Sequence, residues 1–377
     1  MIMRKFASLL VLSALLLSCE KKPEYIVPVL PPDDPAPETP SGSTGLDFSV
    51  VQQELSQSIV LTFGNTLRYQ SVMQSFALSG DGYMYGIQVG TSTNKYLLNV
   101  TRKPVTGDSG KTYMQLPFAG HGSNMEVERS GGKDYIWTGS YGTWNGTKYT
   151  NSQTVARIPF SQGSKLTPQE CAEQYWVPGL RNVAPAIDLD SDLLLIWGLA
   201  NGESETGYFK GYRLSEAKAL TASQVKLERS ITYGGQDSGY PEVTETPTVN
   251  ARNLGALTPV INIRLNGGAL GTGSNQGFEI YGDYILHLSG PGNDDTPGKP
   301  SVATLTVLDL KGTVLGRYNV GALSSIEALT LAGITDTGFM EAEGVKIYDD
   351  VLYLGFATKH SSDEKRMVTI FKYNIKK

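Results

Sequence analysis

From about Leu46 onward the chain repeats one hydrophobic–polar layout five times. A run of alternating apolar positions leads into a turn of Gly, Asp or Ser. A second run follows, rich in Tyr, Trp, Ile, Leu and Val. The copies are "QSFALSGDGYMYGIQVG" (from Gln74), "NMEVERSGGKDYIWTGSYG" (from Asn124), "APAIDLDSDLLLIWGLA" (from Ala184), "QGFEIYGDYILHLSGPG" (from Gln276) and "AEGVKIYDDVLYLGFAT" (from Ala342). Period-two alternation marks a half-buried strand, and a near-continuous apolar run marks a strand covered on both faces. The joining residues tolerate tight or left-handed turns, so each copy predicts a β-hairpin. The segments "TVARIPFSQGSKL", "YFKGYRLSEAKAL" and "ATLTVLDLKGTVLGRYNV" predict a further strand pair after most hairpins, and "RMVTIFKYNIKK" a closing strand.

Paired hairpins recurring in phase are the unit of a β-propeller. One blade cannot cover its own two faces, so neighbours must do so, and closing the ring hides the edges. The expected fold class is all-β, a single propeller of five blades, with six as the alternative. Two β-sandwich domains would use similar strands but would not keep the hairpins in phase. The third interval is the longest. Its stretch "ERSITYGGQDSGYPEVTETPTVNARNLG" has little strand patterning and reads as an excursion or a hidden sixth blade. Helices are expected over Thr167 to Trp176, where Thr and Glu stand three apart as in a capping box, and briefly in "LSEAKAL" and "SSIEALTLAG".

The N-terminus is different. Arg4 and Lys5 precede an apolar run, Phe6 to Leu17, that is too short to span a bilayer and ends at Ser18-Cys19. This resembles a bacterial lipobox. Residues 1–18 are then a lipoprotein signal peptide, with Cys19 the lipidated residue and the acyl chains the one membrane contact. Residues 19–45, "CEKKPEYIVPVLPPDDPAPETPSGSTG", are dominated by Pro, Ser, Thr and acids and predict a flexible tether. Residues 46–377 form the propeller domain. The expected address is export, anchored to the cell envelope at the outer membrane or cell surface.

The remaining composition mostly excludes. With two cysteines, Cys19 and Cys171, there is neither a disulfide framework nor a Cys-based zinc site. Cys171 reads as a structural thiol. The net charge of −5 and the lack of a basic block argue against nucleic acid. Three histidines are too few for a metal hydrolase site built from several of them. No Gly-x-Ser-x-Gly elbow occurs, and "GALGTGSNQG" lacks dinucleotide-fingerprint spacing. "DLDSDL", from Asp188, starts like a calcium loop but lacks its Gly and Glu, so a hairpin turn is expected. "GNDDTPGK", with Asp294 and Asp295, reads as a solvated loop first and a cation site second. Neither metal nor cofactor is expected.

In a propeller the crossovers into the innermost strands gather at one mouth of the central channel, and ligands commonly bind there. The crossovers here are "RYQSVMQ", "GHGSNME", "RNVAPA", "GSNQG" and "FMEAEG". They offer Gln70, Gln74, His121, Asn124, Glu126, Asn182, Asn275, Gln276, Glu341 and Glu343 as ligand-binding candidates. His121, between two glycines, suits three roles: fixing the crossover, touching a ligand, or acid–base chemistry. Glu126 and Glu128 share a strand face. Such neighbours lie about 7 Å apart and point the same way, so alone they do not form a glycosidase pair. Tyr141, Trp144 and Tyr149 sit in a loop-prone aromatic stretch suited to sugar rings; Tyr135 and Trp137 alternate within a strand and read as packing.

"GHG" ahead of a strand, "QGFEIYGD" and "EAEGVKIYDDVLYLGFA" resemble the helveticin-J-type propeller family. That family is similar to the propellers of some phage receptor-binding proteins and of teichoic-acid biosynthesis protein C. The resemblance spans most of Gln74 to Phe371. It implies a five-bladed exported propeller that binds glycan or cell-envelope polymer, with His121, Gln276, Glu341 and Glu343 inside the matching motifs. A tethered lipoprotein suits neither a diffusible toxin nor a phage fibre, so the bacteriocin role is not carried over. The expected function is a binding module for glycan or envelope polymer. The alternatives are a glycan lyase or hydrolase at the same mouth, and a scaffold for protein partners.

Overall fold

In the computed structural model, the residues described are 45–377, apart from 65–66, 92, 108, 204–206, 236–237, 266–269, 271–273, 291–298 and 362. The signal, Cys19, the tether and the Asp294–Asp295 loop lie outside them. The fold is a five-bladed β-propeller, and each predicted hairpin is the inner pair of one blade. The inner strands are Met73–Ser79, Met125–Ser130, Leu180–Asp188, Ser274–Tyr281 and Met340–Tyr348. Each pairs antiparallel with the apolar strand that follows it.

The core is divided among the blade interfaces. Five clusters of buried side chains lie between blades one and two, two and three, three and four, four and five, and five and one. Met125 and Val127 pack toward blade one. Closure is made by the N-terminal end of the domain. Ile59–Gly64 pairs with Asp363–Asn374 and becomes the outermost strand of blade five. Leu46 bridges to Lys376 beside it. Joining the two ends of the chain in one sheet leaves no seam between first and last blades.

The six-blade alternative falls because the third interval is an excursion. After Gly207–Arg213 and the helix Leu214–Ala219, the chain crosses to blade two. There Thr248–Asn253 runs parallel to Glu173–Trp176, with Ser223–Lys226 outside it, widening that sheet to six strands. The chain then returns to complete blade three with Ile261–Leu265. Two expected strand pairs are therefore corrected. "SQGSKL" is a turn with one bridge, Gln115 to Lys165, and "LSEAKAL" forms the short helix also expected of it. The outer strands of blades two and three come from farther along the chain.

The helix expected over Thr167 to Trp176 is also corrected. Its capping box forms, with Thr167 N and Oγ1 each donating to Glu170 Oε2 at 2.8 Å. Only the 3-10 turn Pro168–Glu170 follows, because Glu173–Trp176 pairs with Thr154–Pro159 and buries Gln174 and Tyr175. Tertiary pairing outweighs a local start signal. The short helix Ile326–Leu331 forms as expected. Cys171 is a buried free thiol, pushed up to about 12 by burial and the nearby Glu170. "DLDSDL" is a hairpin turn in which Asp188 Oδ1 accepts from Asp190 N and Ser191 N.

Candidate functional site

Each inner strand enters from the crossover side, and four of the five are broken there by a register shift. The shifts fall between Met73 and Ser75, Arg181 and Ala184, Asn275 and Phe278, and Ala342 and Gly344. A bulge leaves a residue out of the ladder and re-aims its side chain. The residues inside these shifts include Gln74, Asn182, Gln276 and Glu343, all candidates from sequence. The amides of Gln74, Asn182 and Gln276 are half-buried, and Glu343 is 4% exposed. None makes a side-chain hydrogen bond among the described residues.

Just inward, the inner strands are tied to one another. Asn124 is fully buried, and its Nδ2 donates to Pro185 O at 2.8 Å and to Phe278 O at 3.0 Å, tying blade two to blades three and four. A Cβ at Gly277 would come within 3.0 Å of Gly344 Cα, so the strands of blades four and five approach backbone to backbone. Deeper still, Lys346 Nζ donates to Glu126 and lies 3.0 Å from Glu279 Oε2. Burial and the neighbouring Glu279 push the Glu126 carboxyl well above its ordinary range, and burial raises Glu279. Burial opposes the charge of Lys346, but the two carboxyls outweigh it and raise the ammonium. The cluster thus sets two buried acids, both disfavoured as anions by burial, around one cation. Asn124 and Glu126, both site candidates from sequence, are spent on this plug.

Glu128, on the same strand face as Glu126, is committed to architecture. Arg157 grips it with two bonds of 2.8 and 3.1 Å, Trp137 Nε1 donates at 3.0 Å, and Lys218 pins the excursion helix to it. Burial works against its charge, but these donors hold its carboxyl below the ordinary range.

Glu343 has no such partner. Burial, then Glu341 beside it, pushes its carboxyl well above the ordinary range; Arg366 and Lys148 pull weakly the other way. His121 sits in a crossover fixed by its glycines. Gly120 and Gly122 have φ of +118° and +76°, and Gly122 O accepts from Ser75 Oγ at 2.7 Å. The His121 Nδ1 is buried without a hydrogen-bond partner among the described residues, and the imidazole is pushed down to about 4 by burial and by Lys148. The Lys148 charge therefore bears on both His121 and Glu343. Burial thus makes the imidazole resist taking up a proton and the carboxyl resist losing one. Gln70 is exposed, and its carbonyl accepts from Arg366 N at 3.1 Å. Asn275 is half-buried and accepts from Gly277 N, and Glu341 is half-buried.

Lys148 is carried by a hairpin, Thr143–Trp144 with Tyr149–Thr150, in the second-to-third strand connection of blade two. The excursion hairpin, Ile231–Tyr233 with Val243–Glu245, lies over it. Thr232 N donates to Thr143 Oγ1 at 2.8 Å, and Tyr149 OH to Gly234 O at 3.3 Å. Tyr141 and Tyr149 are buried in this cap, and burial pushes both phenols up to about 12. Trp144 is half-buried against Tyr149, with ring centroids 5.3 Å apart. Phe118 and Tyr141 both hold left-handed backbone, φ 59° and 53°, a strain of about 1–3 kcal/mol each that the surrounding contacts must offset.

Among the described residues, no group of three or more His, Cys, Asp and Glu is placed to hold a metal ion, and no helix is long and apolar enough to cross a membrane. Sequence reasoning missed Lys148, Glu279 and Lys346. A signal for the last two existed: aligned with one another, the inner-strand stretches "NMEV", "GFEI" and "GVKI" put Glu126, Glu279 and Lys346 at one position.

No family model matches the chain, and no curated protein matches it in sequence. The propeller read from the motifs thus stands without a matching model for the helveticin-J type. Among solved structures, the chain is similar to the tail fibre of Staphylococcus aureus phage P68, with 16% identity and a TM-score of 0.54 over 84% of this chain and 52% of that one. It therefore spans about half of the fibre's length, and at this identity the likeness establishes the fold alone. A weaker similarity is to RS223 beta-xylosidase, at 10% identity and a TM-score of 0.35, covering 81% of this chain and 94% of that one. Another is to a glycosyl hydrolase from Bacteroides ovatus, at 12% identity and a TM-score of 0.24, covering 90% and 94%. Scores that low carry no argument about this chain. What the comparisons support is a β-propeller architecture.

Proposed function

We propose that this protein is an exported lipoprotein, anchored through Cys19 and held off the membrane by residues 19–45, that binds a glycan or other cell-envelope polymer at the crossover-side mouth. One observation carries the reading. Bulges in the inner strands of four blades hold Gln74, Asn182, Gln276 and Glu343, none with a side-chain hydrogen bond among the described residues, toward the crossover side. Amides that both donate and accept, on rigid strands, suit the hydroxyl rims of sugars. Glu343, whose burial favours the protonated form, adds a donor while it holds its proton. The motif resemblance to helveticin-J-type propellers and the phage tail-fibre likeness are compatible with a surface polymer as ligand.

The test is calorimetric titration of the mature chain carrying Cys19→Ser with purified envelope polysaccharides. The double variant Gln74→Ala/Gln276→Ala should bind at least about tenfold more weakly with an unchanged melting temperature. Wild-type affinity in that variant would remove the mouth as the site. A second reading, cleavage of the bound polymer, is favoured by the opposite shifts of Glu343, raised, and His121, lowered, an acid and a base with separated proton affinities. New reducing or unsaturated ends on incubation with polysaccharide, lost in Glu343→Gln, would establish it. The anchor is checked by fatty-acid labelling, which Cys19→Ser should abolish.

A further inference from the structure

We infer that the ligand of the mouth is an extended glycan chain rather than a single sugar, and that a second subsite for it lies on an aromatic shelf made by Tyr96, Phe118 and Tyr240. This rests on the binding reading above. Phe118 is the buried centre of the shelf. Its backbone is fixed on both sides, its N–H donating to Tyr96 O at 2.8 Å and its carbonyl accepting from Gly142 N at 2.9 Å. Its ring meets Tyr96 at 5.7 Å, Tyr149 at 5.4 Å, Tyr233 at 5.7 Å and Tyr240 at 5.3 Å.

Two of these rings do more than pack. Tyr240 is 38% exposed and Tyr96 half-buried, and the ammonium of the exposed Lys165 stands 5.2 Å from the centroid of each. The result is a pair of accessible rings on a rigid support with a hydrogen-bond donor between them. Little conformational entropy remains to be lost there on binding. Apolar ring faces beside a polar rim match the two-sided surface of a pyranose.

Continuity with the mouth selects a chain as occupant. Phe118 and His121 are three residues apart, so their Cα atoms lie no more than about 11 Å from each other. Tyr149, on the Phe118 ring, directly follows Lys148, whose charge acts on His121 and Glu343. Tyr240 comes from the blade-three excursion, which the ring does not need for closure. Its turn is built to hold it: Gly235 N donates to Tyr240 O at 2.8 Å, and Tyr240 N to Ser238 Oγ at 3.1 Å.

The experiment uses the mature chain and capsular or lipopolysaccharide-derived polysaccharide, cut by partial acid hydrolysis and size-graded from single sugars upward. Affinity should rise at least about tenfold with chain length. Tyr240→Ala should abolish that rise while leaving single-sugar affinity and melting temperature unchanged, Lys165→Ala should reduce it, and Tyr240→Phe should keep it. Gln276→Ala should weaken all lengths alike. Affinity independent of length, or a rise that survives Tyr240→Ala, overturns the shelf and leaves the mouth standing. Failure of every polysaccharide and every fragment to bind overturns both.

Discussion

Two buried carboxylates on inner strands, Glu126 and Glu343, look alike in sequence and do opposite work. Both are nearly inaccessible, and burial raises both. Glu126 lies in the plug, where Lys346 donates to it and Glu279 shares the cation. Glu343 lies at the mouth with no hydrogen bond to described residues. A buried charge with a partner belongs to architecture. One left without a partner, beside half-buried amides and a mouth, is available to a ligand.

The plug gives the largest expected effect. Lys346→Met would leave two facing acids buried, and removing one member of a buried ion cluster costs about 3–5 kcal/mol. Chemical denaturation should show that loss. Adding Glu126→Gln and Glu279→Gln should recover most of it, because the charges left unpaired by the first change are gone. A mild Lys346→Met variant would erase the contrast, since the plug would then be no more committed than the mouth.

His287 asks whether lack of a partner suffices to mark a site. It is buried in blade four with neither ring nitrogen bonded, and burial pushes it down to about 4. It lies in no crossover but inside Tyr284–Gly290, facing Phe278 at the inner edge of the blade-four bulge. The unfolded chain takes up a proton near 6.5 that the folded chain refuses, so stability is lost as pH falls from 6.5 toward 4, by up to about 3 kcal/mol. His287→Leu should flatten that part of the stability–pH curve and leave polysaccharide affinity unchanged. Altered binding would mean that an unpartnered group marks function wherever it stands.

These contrasts also show what was legible in sequence. Five hairpins were readable because turn residues and alternation are local, whereas Gln74, Asn182, Gln276 and Glu343, read as crossover residues, stand in bulges of the inner strands themselves. The excursion was not readable as strands. Ile231–Tyr233 and Val243–Glu245 are three residues each, and pairing between distant segments stabilises them rather than a pattern of their own. The closing strand Ile59–Gly64 pairs with a partner some three hundred residues on, which no window along the chain reveals. The plug joins residues 126, 279 and 346, whose opposite charges become complementary once the blades are arranged in a ring. Tyr141 and Tyr149 looked like exposed platforms because the hairpin that covers them is distant in sequence.

Glu343→Gln gives the smallest effect on stability and the sharpest reading of the comparison. The folded carboxyl holds its proton above the ordinary value, so the unfolded chain releases it first as pH rises. Stability from this group is therefore full below about 4.5 and is lost as pH climbs through its raised value. An amide of the same shape cannot ionise. Glu343→Gln should match wild type within about 1 kcal/mol at low pH and exceed it above that window. Its binding is the telling part. The wild-type acid donates while protonated, so wild-type affinity should fall as pH rises through the same window. The glutamine NH2 donates at every pH, so Glu343→Gln should bind with affinity independent of pH. Glu343→Ala, with no donor, should bind weakly throughout. Pairing by a ligand is what separates this carboxyl from Glu126. If Glu343→Ala binds as well as Glu343→Gln, the ligand makes no bond there, and Glu343 is a buried acid like any other in the ring.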